Sequence, residues 1–262
     1  AFALKSAGAT PGDRIAVQVE KSPEAIALFW ACLRGGFVFL PLNTAYTPSE
    51  VAYFVGDAEP AVLVVPPGAA NALAPVAAQA KARVLTLDDL GNGTLVDAAT
   101  GEISDHSATW DDLAAILYTS GTTGRSKGAM LTHANLASNA LALVEAWVFT
   151  PEDVLIHALP VYHTHGLFVA TNTLLLCGGR ILFRRTFDAD DVMQLLPQAT
   201  CLMGVPTFYT RLLQHAGLTR EATAQMRLFI SGSAPLLAET HRAFSGRTGH
   251  AILERYGMTE TS

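Results

Sequence analysis

The 262 residues contain no cluster of lysine and arginine, no long unbroken apolar run and few cysteines, and each of these shortages removes a class of function. Seventeen Lys plus Arg stand against 23 Asp plus Glu, a formal net charge of -6, which provides no basic field for a nucleic-acid backbone. Only 15% of the residues are charged while 50% are hydrophobic, a balance that specifies a packed core and excludes a disordered chain. Cys32, Cys177 and Cys201 lie far apart in apolar surroundings with no Cys-x-x-Cys spacing. They read as core residues in a reducing compartment, and a cytoplasmic location is expected. The longest apolar-looking run, Gly166 to Gly179, is broken by Thr171, Asn172 and Thr173. It falls short of the roughly 20 residues that a bilayer demands, so no membrane span is expected. The amino terminus has neither a charged n-region nor a continuous h-region and starts in what reads as the middle of a helix, so a fragment at that end is expected.

What is present is an alternation of short apolar runs with helical segments, the signature of an α/β fold with layered subdomains and mainly parallel sheets. The runs are Ile15 to Val19, Phe37 to Leu42, Ala61 to Val65 and Val84 to Leu87, then Val154 to Ala158, Arg180 to Phe183, Cys201 to Val205, Leu228 to Ser231 and Ala251 to Glu254. Ser22-Pro23-Glu24 starts a helix that Gly35-Gly36 stops, and Thr47-Pro48-Ser49-Glu50 has the form of a capping box. Thr132 can cap a helix carrying Leu136, Ala140, Leu143, Val144 and Trp147 on one face. Between Gly91 and Thr109 the composition turns polar without a sustained period, which predicts a first subdomain over 1–90, a linker over 91–110 and a second subdomain over 111–262.

Chemistry concentrates in Tyr118 to Gly128, reading Tyr-Thr-Ser-Gly-Thr-Thr-Gly-Arg-Ser-Lys-Gly directly after the apolar run Leu113 to Leu117. Glycines let backbone N–H groups approach phosphate oxygens. Thr119, Ser120, Thr122 and Thr123 supply hydroxyls, and Lys127 supplies a mobile positive charge. The stretch is not a Walker loop, because Ser126 stands where that motif needs Gly and Gly128 follows the lysine where it needs Ser or Thr. The alternative reading is a glycine-rich surface turn between strands. Three further stretches carry polar groups at element ends: Pro160-Val161-Tyr162-His163-Thr164-His165-Gly166, Ser231-Gly232-Ser233-Ala234-Pro235-Leu236 and Tyr256-Gly257-Met258-Thr259-Glu260-Thr261. On a strand, His163 and His165 would point the same way, which raises a metal site, but no Cys or carboxylate lies nearby in sequence to complete one. His165 reads equally as a satisfied structural histidine, and Glu260 as a solvated charge.

In order and composition these stretches resemble the signatures of the adenylate-forming superfamily, which includes acyl-CoA synthetases, the adenylation domains of peptide synthetases and luciferases. The second half of the chain, through Met203 to Leu213, is similar to the malonyl-CoA synthetases of that superfamily. The resemblance implies the large N-terminal α/β domain of such an enzyme, incomplete here. It implies ATP contacts from Thr119, Ser120, Gly121, Thr122, Thr123, Gly124 and Lys127, and from Gly232, Ser233, Ala234, Pro235, Glu254, Tyr256, Gly257, Met258 and Thr259. It assigns catalysis to Lys127, His163, Thr259 and Glu260, magnesium to Thr119 and Glu260, and the acyl substrate to His163, Arg211, Ser233 and Met258.

The implied reaction is that of an acid–thiol ligase. A carboxylate attacks the α-phosphate of ATP with magnesium present, and coenzyme A then takes the acyl group. No general base is required, because the attacking carboxylate is already ionised near neutral pH. Arg211 lies four positions beyond Thr207 on the same helical face, and an arginine suits a second carboxylate, so malonate is the expected substrate, with methylmalonate also open. A surface arginine, a ligase for a monocarboxylic acid and a non-catalytic nucleotide-binding module are the alternatives. The resembled enzymes continue into a small C-terminal domain that carries a further lysine, so this chain alone is expected to have little activity.

Overall fold

The computed structural model describes residues 1–103, 105–119 and 125–261. The chain forms two compact units, residues 1–136 and 137–262, each built on its own sheet. The first unit runs α1 (Phe2–Ser6), β1 (Arg14–Val17), α2 (Pro23–Gly35), β2 (Val38–Pro41), α3 (Pro48–Ala58), β3 (Val62–Val65), α4 (Ala70–Gln79), β4 (Arg83–Thr86), α5 (Thr94–Asp97), β5 (Leu113–Thr119) and β6 (Lys127–Thr132). α6 (His133–Ala146) starts in the first unit and ends in the second. The second continues with β7 (Val154–His157), α7 (Thr173–Cys177), β8 (Arg180–Phe183), α8 (Ala189–Leu195), β9 (Cys201–Gly204), α9 (Pro206–Gln214), β10 (Leu228–Ser231), α10 (Ala238–Thr248) and β11 (Ile252–Glu254). Among the described residues no helix is long and apolar enough to cross a membrane.

Helix starts follow from side-chain chemistry. The Ser22 hydroxyl accepts from the Ala25 amide at 3.1 Å, and Pro23 occupies the first helical position, where it sacrifices no bond. Thr47 and Glu50 form the reciprocal capping box, with the Thr47 amide donating to the Glu50 carboxylate at 2.8 Å. Thr132 accepts from the Asn135 amide at 3.2 Å while the Asn135 side chain accepts from the Thr132 amide at 2.9 Å.

The first sheet has the order β4-β3-β1-β2-β5-β6, parallel throughout except for the antiparallel β5–β6 pair. The second has the order β11-β10-β9-β7-β8 and is wholly parallel. Parallel strands covered on both faces read as continuous apolar runs, as β2 and β3 do, each with all four residues buried. In the second sheet successive residues serve opposite faces: Leu202 and Phe229 pack with Tyr209 and Phe244 on one side, while Met203 and Ile230 pack with Leu155 and Leu174 on the other. The Phe229 and Phe244 rings lie 4.9 Å apart, and burial of each aromatic contributes roughly 2–3 kcal/mol.

Both sheets are entered in their interior. The chain leaves β1 for β2 on one side and returns to β3 on the other, and it leaves β7 for β8 and returns to β9 in the same way. Strand order therefore reverses at β1 and at β7, where open α/β sheets leave a crevice beyond the strand ends. In the first sheet Gln18, buried directly after β1, donates its amide to the Asn43 and Tyr46 carbonyls at 3.0 Å each and closes that position.

The units divide at residue 136, whereas composition predicted a boundary over 91–110. β5 pairs with β2, so the strands flanking the glycine-rich stretch belong to the first sheet. The polar stretch before β5 is a surface connection tied to that unit, with Arg34 and Asp105 2.6 Å apart and the His106 amide donating to the Arg34 carbonyl at 2.8 Å. Lack of periodicity marked a loop there, not a domain edge.

One ion pair ties the second unit together, between buried Asp153 and the more exposed Arg227, 2.7 Å apart. Burial by itself would raise the Asp153 pKa, but Arg227, the Thr150 amide and the Thr200 hydroxyl overcome that and hold the carboxyl well below the usual carboxylate range. Arg227 also donates to the carbonyls of Trp147 and Val148 at 3.0 and 3.2 Å. Asp153→Ala is expected to destabilise the protein by about 2 kcal/mol in urea unfolding, because it removes the buried carboxylate that Arg227, Thr200 and the Thr150 amide bond, while exposed Arg227 remains open to water. The depressed pKa makes the Asp153 contribution complete above the unfolded value near 3.9 and lost as pH falls through the lower folded value. Wild-type stability is therefore expected to fall below about pH 4 more steeply than that of the variant.

Candidate active site

The crevice at the β7 reversal is open. A cavity of about 450 Å³ lies there, lined by residues that follow four parallel strands: Leu159, Pro160 and His163 to Gly166 after β7, Val205 after β9, Ser233 after β10, and Arg255 with Gly257 to Thr259 after β11. Because the strands are parallel, their following loops all emerge at one sheet edge, which brings residues 96 positions apart in the sequence to one wall (Leu159 and Arg255).

The β7 connection turns into a π-helix, His165–Asn172, in which every residue is buried. π-turns are rare and concentrate at functional sites. His163 lies in the bend before this helix and His165 at its start, so neither is on a strand, yet both histidines line the cavity. Gly166 is needed here, because a Cβ on it would sit 2.0 Å from the Pro160 carbonyl oxygen. The Gly166 carbonyl in turn lies 2.9 Å from the Nε2 of buried His157.

His165 is 5% exposed, and its Nδ1 lies 3.3 Å from the Ser233 hydroxyl. Its Nε2 is buried with no hydrogen-bond partner among the described residues. Burial first, and the positive charge of Arg255 second, lower its pKa to about 4. His163 is more exposed and its ring is 4.6 Å from that of Tyr162; partial desolvation lowers its pKa also. Ser233 adopts φ +69°, a left-handed conformation that costs a non-glycine residue about 1–2 kcal/mol, and in that conformation its hydroxyl meets His165.

Arg255 is the residue sequence reasoning missed. It is half-buried, lines the cavity, and its guanidinium makes no hydrogen bond or ion pair among the described residues. Burial lowers its pKa, as expected for a cation held away from water without a counter-charge. The available signal was its place one residue beyond a predicted strand. Arg211, the expected acyl-recognition residue, is exposed on α9, its guanidinium 4.9 Å above the Phe187 ring, and does not line the cavity. Thr207 and Arg211 do share a helical face, and both are exposed.

Of the other expected residues, Gly257, Met258 and Thr259 line the cavity, and Gly232 packs against the His165 ring. Ala234 and Pro235 are exposed in the bend after β10. Glu254 accepts from the Leu236 amide at 3.2 Å and faces His241, a tie between β11 and the start of α10. Tyr256 is 86% exposed, and Glu260 is exposed in the 3₁₀ turn Thr259–Thr261. In the first unit Thr119 and exposed Lys127 face each other at the end of the β5–β6 ladder. Ser120, Gly121, Thr122, Thr123 and Gly124 lie outside the described residues. Among the described residues no group of three or more His, Cys, Asp or Glu side chains could hold a metal ion.

The folded pKa of His165, below its unfolded value near 6.5, fixes a sign: its neutral form stabilises fully above about pH 6.5, and that contribution is lost as pH falls toward 4. The His165 ring is expected to remain neutral at pH 5.5, checked by its imidazole nitrogen chemical shifts; an imidazolium signal at that pH would contradict the described burial.

The chain matches, over residues 1–262, the family model described as AMP-binding enzyme. ATP-bound MatB from Rhodopseudomonas palustris is 60% identical and superposes with a TM-score of 0.96, over 98% of this chain and 52% of its own. A malonate–CoA ligase from Arabidopsis thaliana is 31% identical over 97% of this chain and 46% of its own length. A feruloyl-CoA synthase from an Amycolatopsis species is 34% identical over 99% and 52% respectively. The chain thus spans about half the length of the curated relatives it matches.

Proposed function

Because the chain belongs to the AMP-binding enzyme family, we propose that it serves an acid–thiol ligase, in which a carboxylate is activated as its adenylate by ATP and the acyl group then passes to coenzyme A. The chain spans about half of its relatives' length, so the activity is proposed for the whole protein. The finer reading is malonate, with methylmalonate also accommodated. It is carried by one observation, the Arg255 guanidinium that lines the cavity without an anionic partner among the described residues. The malonate–CoA ligase among the relatives supports it. The feruloyl-CoA synthase supports the second reading, a monocarboxylic acid.

The chemistry follows from charge. Both reactants are anionic, so the site must first overcome their repulsion. Lys127 would meet phosphate oxygens with its ammonium, together with the hydroxyls and amides of Thr119 to Gly124. In the second unit, taken by itself, the resemblance gives Thr259 a phosphate contact and the exposed ring of Tyr256 a face for adenine. The donor set suits a magnesium ion bound chiefly through nucleotide oxygens, since that ion takes one or two carboxylates and Glu260 would supply one. When bound, the ion would draw charge from the phosphate oxygens.

In the cavity, a neutral His165 held by Ser233 would keep Nε2 directed to the ligand without adding a positive charge near Arg255. His163, Met258 and Gly257 would bound the acyl group. An arginine recognises a carboxylate through two parallel N–H bonds, and a substrate lacking that carboxylate would leave the guanidinium buried and unpaired. Arg255 is the first candidate for this role, with Arg211 the second.

The test compares Arg255→Ala and Arg211→Ala in the whole enzyme with malonate and butyrate as substrates. Arg255→Ala is expected to lower the malonate-to-butyrate ratio of kcat/KM about 10²-fold, the equivalent of roughly 3 kcal/mol of charge-assisted bonding. A loss confined to Arg211→Ala would move the role to that residue. An unchanged ratio in both variants would replace malonate with a monocarboxylic substrate.

A further inference from the structure

Helix α3 reaches both strands that flank the glycine-rich stretch. The Tyr53 hydroxyl donates to the Ser126 carbonyl at 2.7 Å, and Asp57 accepts from the Tyr118 hydroxyl at 2.5 Å. Tyr53 and Asp57 are four apart and so share a helical face. Ser126 and Tyr118 are the residues immediately before Lys127 and Thr119, which oppose each other across the ladder. Each arm of the β5–β6 pair is therefore held by α3 one residue short of its functional group.

The grip is backed by packing and polarity. The Phe54 and Tyr118 rings lie 4.6 Å apart and those of Tyr53 and Tyr118 lie 6.4 Å apart, edge to face. α3 is itself fixed at its start by the Thr47–Glu50 box. Burial first, and Asp57 second, raise the Tyr118 pKa, so its phenol remains a donor at neutral pH. The Ser126 carbonyl lies near the surface, where water can replace a lost hydroxyl; the Tyr53 bond therefore does little for folding and more for where the backbone is held.

We propose that Tyr53 is a positioning residue for Lys127. By holding the carbonyl that precedes the lysine, it sets where the ammonium is delivered to a nucleotide phosphate, and the Asp57–Tyr118 bond does the same for Thr119. The proposal rests on the phosphate-binding reading of Tyr118 to Gly128.

The experiment measures MgATP and adenosine dissociation constants by calorimetry, with Tm alongside, for the wild type, Tyr53→Phe and Tyr118→Phe. One net hydrogen bond corresponds to about a threefold to tenfold change. Tyr53→Phe is expected to weaken MgATP by that factor with adenosine binding and Tm unchanged, and Tyr118→Phe to act in the same direction. Unchanged MgATP affinity in Tyr53→Phe, or equal losses for MgATP and adenosine, would overturn the positioning role while leaving the phosphate loop intact as a reading. A wild-type protein that binds adenosine but gains nothing from the phosphates would overturn the phosphate-loop reading, and this proposal with it.

Discussion

A parallel sheet entered at an interior strand cannot be covered evenly. Its first crossover must leave to one side and its next must return to the other, and the loops at the reversal part above the strand ends. The two sheets of this chain share the reversal at their first strand and resolve it differently. After β1 the parting is filled by the Gln18 amide, which finds acceptors on both Asn43 and Tyr46. After β7 no such plug exists among the described residues, and the space is a cavity walled by the loops of four strands.

Several unfavourable features of the second unit meet at that opening. The π-helix, the left-handed Ser233, and, among the described residues, the buried imidazole with an unpartnered nitrogen and the arginine without a counter-charge all border it. Each is unfavourable alone: left-handed serine by about 1–2 kcal/mol, and a buried polar nitrogen by about 1–3 kcal/mol. Together they have a common electrostatic sense. Burial and Arg255 keep His165 neutral, so positive charge in the cavity is concentrated on the guanidinium. A wall of this kind favours an anionic ligand.

Strands and helix starts were legible because their causes are local. Arg180 to Phe183 and Leu228 to Ser231 form as read, and Ser22, Thr47 and Thr132 cap the helices their side chains can reach. Sheet membership was not legible, since β5 joins β2 through a partner more than seventy residues earlier, Phe39 against Ala115. β6 was absent from the reading because its residues directly follow a glycine-rich stretch and precede a capped helix, and only the β5 partner reveals it. Arg211 illustrates the limit of helical spacing: four residues from Thr207 establish a shared face, but what that face looks upon is decided by packing. Arg255 was hidden for the opposite reason, standing between a strand and a motif and belonging to neither pattern.

All strand pairings of the first sheet close within residues 14 to 132, and all those of the second within residues 154 to 254. Among the described residues no strand pairing joins the two sheets. During synthesis, at roughly 5–20 residues per second, the first sheet can therefore complete its ladder while the second half is still emerging. The tethers that hold Lys127 and Thr119 to α3 would be in place seconds before the arginine of the second unit is even translated.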